Sequence, residues 1–170
     1  GLLWNREIIN SQRTEPENFN RDLLTRVILA IDPAVTKTAH SDETGLVVVG
    51  MDSNKQAYVL DDISGTYSPS QWAEIAKDTA DEWNIDAYVA EGNQGHDLVE
   101  ANLRSVDTTR RVKMVRATRG KAVRAEPIYG LYEQGKVHHV GYFSKLEAQM
   151  VSWNPDVTSD SPDRVDALVW

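Results

Sequence analysis

Val27-Ile28-Leu29-Ala30-Ile31-Asp32-Pro33 decides the fold of this chain. A run that is apolar at every position, short and rich in β-branched residues predicts a strand buried on both faces, inside a sheet covered by helices. Pro33 ends it, because proline has no N–H for the ladder. Two more strands follow, over 45–50 and 57–63. Asp52-Ser53-Asn54 supplies turn chemistry between them, so the short connections predict an antiparallel meander.

Beyond residue 65 the period changes. Ser68, Pro69 and Gln71 provide an N-cap, a first helical residue and a capping box. Trp72, Ile75, Ala76, Thr79, Ala80 and Trp83 then recur at helical spacing and form one buried face. A fourth strand over 87–90 ends at Glu91-Gly92-Asn93. A helix over 95–105 and a fifth strand over 112–115 come next. A third helical region spans 118–134, with Gly135 as C-cap and Pro127 as a kink or restart. A short strand over 137–140 and a helical spacing over 143–153 follow, and Ser161-Pro162 opens a last helix. Three consecutive strands and then alternating helices and strands predict an α/β fold. Its mixed five-stranded central sheet has three antiparallel strands, then strands parallel to the first, with helices on both faces. Residues 1–25, polar around Glu15-Pro16-Glu17-Asn18, lack sustained periodicity and read as a linker or arm; the domain proper is 26–170.

Composition narrows the chemistry. Among 170 residues there is no Cys, which excludes disulfides, zinc-thiolate sites, iron–sulfur clusters and a Cys nucleophile. No apolar run approaches the ~20 residues of a membrane helix, so no membrane partner is expected. The N-terminus has no basic-then-apolar signal pattern. The net charge of −8 argues on average against a nucleic-acid partner. The charge is unevenly spread, however. Residues 104–145 hold ten basic and three acidic side chains, a balance of +7 against −15 for the rest. From Arg110 to Arg124 there are seven basic residues and no acid. Such a run is either a solvated face or a phosphate-binding field.

The acids are placed tellingly. Asp32 follows the most apolar strand and Glu91 follows the fourth. If those strands are parallel neighbours, both carboxylates stand at the carboxyl edge, where ligand sites of open α/β sheets gather. Asp163 and Asp166 share a face of the last helix, which packed there would add one of them. Singly, Asp32 reads equally as a turn residue before Pro33, and Asp163 as a favourable charge at a helix N-terminus. Together they form a hard oxygen donor set suited to Mg²⁺ or Mn²⁺. Two such ions would clamp the attacking and leaving oxygens of a phosphodiester.

The chain resembles the C-terminal nuclease domain of the large terminase subunit of tailed bacteriophages. The resemblance is carried in order by Ala30-Ile31-Asp32-Pro33-Ala34, Ser41-Asp42-Glu43-Thr44-Gly45, Ala90-Glu91-Gly92-Asn93-Gln94-Gly95, Arg119-Gly120-Lys121-Ala122-Val123-Arg124-Ala125-Glu126-Pro127, Leu131-Tyr132-Glu133-Gln134-Gly135-Lys136-Val137-His138-His139 and Ser161-Pro162-Asp163-Arg164-Val165-Asp166-Ala167-Leu168. It implies a ribonuclease H-like fold and an endonuclease with two Mg²⁺ or Mn²⁺ ions that cuts concatemeric viral DNA during packaging. Asp32 matches the first catalytic aspartate and Glu91 the second acid. Asp163 or Asp166 matches the last, and relatives differ over which. His96 stands where relatives often have a further Gly.

The same resemblance implies double-stranded DNA as substrate, with an ATPase motor domain of the same full-length protein, a portal and a small terminase subunit as partners. No Walker A pattern occurs in this chain. The implied location is the cytoplasm of the infected host, on the procapsid and not in the mature virion. Lys121 fits either an auxiliary catalytic role at the attacking water or scissile phosphate, or an ordinary phosphate contact. Arg110, Arg111, Arg116, Arg119, Lys121 and Arg124 are the expected DNA contacts. His138 and His139 point apart on a strand, so one of them reads either as approaching the metal site or, like the other, as a structural or surface residue. His40 lies in a loop that would border DNA, and Trp72 and Trp83 read as core. A junction resolvase, an RNase and a non-catalytic docking module are the competing readings.

Overall fold

The apolar run becomes β1, Leu24–Asp32, and its alternate residues meet two different layers. Val27, Leu29 and Ile31 enter one core with Leu46, Val48, Tyr88 and Ala90. Ile28 and Ala30 face the other way, toward Ile128 and Leu131, with which they line an apolar cavity of about 250 Å³. Burial on both faces is what a continuous apolar run requires. The computed structural model describes residues 4–33, 43–92, 96–115 and 121–152.

Strand β2 is Gly45–Asp52 and β3 is Ala57–Asp62. The meander is antiparallel, with Asp32 opposite Gly45 and Val47 opposite Asp62. The Asp52 carboxylate accepts the N–H groups of Asn54 and Gln56, both at 2.9 Å, and so fixes the turn. Helix α2, Pro69–Trp83, begins at Ser68 with the expected capping box and buries Trp72, Ala73, Ala76, Thr79 and Ala80. Trp83 is half-buried beneath the Arg21 guanidinium, 3.6 Å from the ring centroid. Strand β4, Ala87–Glu91, helix α3, His96–Val106, and strand β5, Arg111–Val115, follow. Both strands run parallel to their neighbours, β4 beside β1 and β5 beside β4.

Helix α4, Lys121–Glu133, is one helix with Pro127 inside it. Gly135 follows at φ +71, a left-handed conformation that glycine adopts freely. Strand β6, Val137–His139, pairs parallel with β3, and helix α5 is Ser144–Ser152. The sheet therefore has six strands in the order β5-β4-β1-β2-β3-β6, one more than the five expected. The added strand is only three residues long and carries two histidines, so pairing rather than apolar pattern defines it. The fold class is as expected: a mixed α/β sheet with helices on both faces. Helices α2 and α3 pack against the first core. Residues of α4 and α5 pack with Val47 and Val59 in a second core.

The N-terminal segment is a packed arm. Helix α1, Arg6–Ser11, is capped by Asn5, whose side chain accepts the Ile8 N–H at 2.9 Å. Trp4 and Ile9 are fully buried in the second core. The Gln12 side chain donates to the Tyr132 carbonyl. Arg13 holds both carboxylate oxygens of buried Glu147, at 2.8 and 2.6 Å.

Candidate functional site

The parallel pairing of β1 with β4 runs from Ile28 opposite Ala87 to Ile31 opposite Ala90. One residue further on each strand are Asp32 and Glu91. They end neighbouring parallel strands at the carboxyl edge, as the sequence predicts. Side-chain alternation then fixes their direction. Ile31 and Ala90 enter the first core, so Asp32 and Glu91 project from the opposite face, the one that carries Ala30 and Val89. Both are half-buried. Two carboxylates at adjacent strand ends on one face repel each other until a cation or proton compensates.

Other side chains share that face. Val115 of β5 is opposite Glu91, Lys113 opposite Val89 and Arg111 opposite Ala87. The intervening Val112 and Met114 pack against the first core. Arg111, Lys113 and Val115 therefore lie on the face of the carboxylates, and the two cations are exposed. The Gly92 N–H donates to the Val115 carbonyl at 3.1 Å and carries the β4–β5 ladder past Glu91. Asp62 also falls on this face, opposite Val47. Its carboxylate accepts the N–H and O–H of Ser64, at 3.1 and 2.5 Å.

Other predicted residues take different places. Arg110, an expected DNA contact, is engaged by carboxylates. Its Nη1 donates to Asp81 at 2.9 Å and to Asp107 at 2.8 Å. Burial works to raise the Asp107 carboxyl, but hydrogen bonds from Arg110, Tyr88 and the backbone outweigh it and hold it well below the usual carboxylate range. Burial and the Asp107 charge push the Tyr88 hydroxyl far up. His138 lies between the Gln12 carbonyl and the Gln56 side chain, at 3.1 and 2.8 Å. His139 is buried with Nε2 2.7 Å from the Tyr132 hydroxyl and Nδ1 2.9 Å from Glu147. Both histidines thus tie structural elements together. Lys121 opens α4 and Arg124 lies in its first turn. Asp163, Asp166, Arg116, Arg119 and His40 lie outside the described residues.

Among the described residues no three His, Cys, Asp or Glu side chains gather as a metal-holding group. What they provide is one pair, Asp32 and Glu91, of hard oxygen donors that suits Mg²⁺ or Mn²⁺ and needs further ligands. Lys113 shares the face of this pair, two residues short of the level of Glu91, and in the sequence it is only one member of the basic run. Its signal is the two-residue spacing from Arg111, which on a strand means a shared face.

A mixed sheet in this order, with a carboxylate pair at the edge of its two central parallel strands, defines a ribonuclease H-like domain. The model of the terminase RNase H-like domain family matches residues 29–170, and the chain belongs to that family. Solved structures agree on the fold. A manganese-soaked, inhibitor-bound terminase nuclease domain of human cytomegalovirus is 18% identical, with 96% of this chain and 90% of that chain covered at a TM-score of 0.67. A point mutant of the nuclease domain of the large terminase subunit gp2 of bacterial virus Sf6, with manganese, is 12% identical, with 99% and 97% covered at 0.71. The yeast mitochondrial Holliday junction resolvase Ydc2 is 9% identical, with 96% and 81% covered at 0.55. A search of curated protein sequences finds no significant match.

Proposed function

We propose that this domain is the metal-dependent DNA endonuclease of a viral genome-packaging terminase, cutting concatemeric DNA by phosphodiester hydrolysis. The observation that carries this reading is the placement of Asp32 and Glu91 side by side, on one face, at the carboxyl ends of β1 and β4. Membership of the terminase family and the manganese named with two structural relatives support it. Asp32, Glu91 and one or both of Asp163 and Asp166 would hold two Mg²⁺ or Mn²⁺ ions. Bound there, divalent ions supply Lewis acidity for activating water and stabilising the departing 3′ oxygen.

The chain's own residues have separable tasks. The rigid β1–β4 ladder sets the spacing of the two carboxylates, because each follows directly on a paired residue. Lys121 is proposed as an auxiliary cation near the scissile phosphate. Arg111, Arg116, Arg119 and Arg124 would hold backbone phosphates, which supplies affinity without sequence reading. Arg110 is left out of that set, since Asp81 and Asp107 engage it. The proposed setting is the packaging motor on a procapsid in the infected host cytoplasm. An ATPase motor domain of the same protein, a portal and a small terminase subunit would be its partners there.

The test is plasmid cleavage. The chain is expected to nick or linearise supercoiled DNA with Mn²⁺ or Mg²⁺ and not with EDTA. Asp32→Asn is expected to abolish cleavage while leaving the melting temperature in place. Equal cleavage by both proteins in EDTA would refute the reading. The likeness to Ydc2 favours one second reading, a four-way-junction resolvase. Preference for a junction over plain duplex in the same assay would select it.

A further inference from the structure

Resting on the nuclease reading, we propose that Arg111 and Lys113 form a phosphate-holding strip on β5 that guides one backbone of duplex DNA toward Asp32 and Glu91. The first support is register. Arg111, Lys113 and Val115 lie opposite Ala87, Val89 and Glu91, so the two cations line up on the face of the carboxylates and at rising level toward them. At about 3.3 Å per residue, Lys113 lies ~7 Å and Arg111 ~13 Å short of the level of Glu91 along the strand. A DNA strand advances about 3.4 Å per phosphate along the helix axis. The strip therefore covers on the order of four phosphates leading to the site.

The second support is how the structure divides the basic cluster. Arg104 donates to the Arg110 carbonyl at 2.5 Å. Arg110 neutralises Asp107, which is 2% exposed. These two cations are consumed in holding the α3–β5 corner together. Arg111 and Lys113, next along the chain, are exposed, and their side chains make no ion pair or hydrogen bond with another described residue. Two exposed cations without an ion pair among the described residues, on the face of the carboxylate pair of a chain of net charge −8, fit a polyanion whose phosphates arrive at regular spacing. The third support is position: β5 is an edge strand of the sheet, so a long rod-like ligand can lie along it without meeting another strand.

The test is fluorescence anisotropy of a short fluorescein-labelled DNA duplex in EDTA, titrated with the whole chain at several salt concentrations. Arg111→Gln/Lys113→Gln is expected to weaken binding and to flatten the plot of log affinity against log salt by about 1.8, close to 0.9 for each phosphate no longer neutralised. The control is Lys55→Gln/Lys136→Gln. It makes the same charge change at exposed positions beside β3 and β6, the opposite side of the sheet, and is expected to keep the wild-type slope. An unchanged slope in the first variant, or equal flattening in both, overturns the strip. Mn²⁺-dependent plasmid nicking by the wild type, run in parallel, separates the two ideas. Nicking with an unaltered slope in the first variant removes the strip and keeps the nuclease. A flattened slope in that variant alone, without any nicking, keeps the strip and removes the nuclease.

Discussion

Asp107 and Glu147 are deeply buried carboxylates, and their surroundings differ in kind from those of Asp32 and Glu91. Asp107 accepts from Arg110, from the Tyr88 hydroxyl at 2.7 Å and from two backbone N–H groups. Glu147 accepts from the two terminal guanidinium nitrogens of Arg13 and from the Phe143 N–H, with His139 alongside. Burial pushes the Glu147 carboxyl up, yet the hydrogen bonds from Arg13 and His139 bring it down to about 2. At the sheet edge like charge is set beside like charge, because the β1–β4 register places Asp32 next to Glu91. The deep acids are each matched to a guanidinium and serve the fold. Asp32 and Glu91, set side by side at a half-buried edge, are instead the pair proposed above to hold divalent ions.

The hardest test of this contrast is to ask which property each carboxylate controls. Asp32→Asn is expected to cut the cleavage rate by a factor of at least about 10², the scale of several kcal/mol of lost charge stabilisation. Its unfolding free energy in urea should stay within about 1 kcal/mol of wild type. Glu147→Gln should do the opposite. Leaving Arg13 without its carboxylate is expected to cost about 3 kcal/mol of stability, read as a lower urea midpoint, while activity per folded molecule is retained.

Acid separates the two kinds of carboxylate further. The Glu147 carboxyl is lowered from 4.5 to about 2 on folding. Its contribution is therefore full above pH ~4.5 and is lost as pH falls toward 2. Wild type should lose stability steeply across that window and Glu147→Gln much less, as followed by urea midpoints at each pH. The smallest expected effect is Tyr88→Phe. It removes one hydroxyl donor from Asp107 and should cost roughly 1.5 kcal/mol, with the DNA salt slope unchanged.

Much of the fold is legible in the residues because the signals are local. The apolar run of β1, the Asp52 turn and the Ser68 capping box each act within a few positions. Asp32 and Glu91 are legible as a pair through one topological rule, since right-handed crossovers bring β4 parallel to β1. The arm is not legible as a packed element. Its anchors, Trp4 in the second core and Arg13 on Glu147, depend on partners more than a hundred positions away. Strand β6 is visible only as a short extension, because pairing with β3 rather than its own pattern completes it.

Arg110 and Arg111 show where the boundary falls. In the amino-acid string they are the same residue twice, members of one basic run of uniform promise. The chain alone establishes that run, the carboxylates that follow two strands, the α/β class and the absence of thiol chemistry, because composition and short-range spacing suffice for each. Which cation turns inward to Asp107 and which outward, onto the face that also carries Glu91, was decided only by the packing of α3 against β5 and by the register of β5 on β4. Arg110 stops just before β5, at the α3 corner, while Arg111 begins the strand and takes the face that its register assigns.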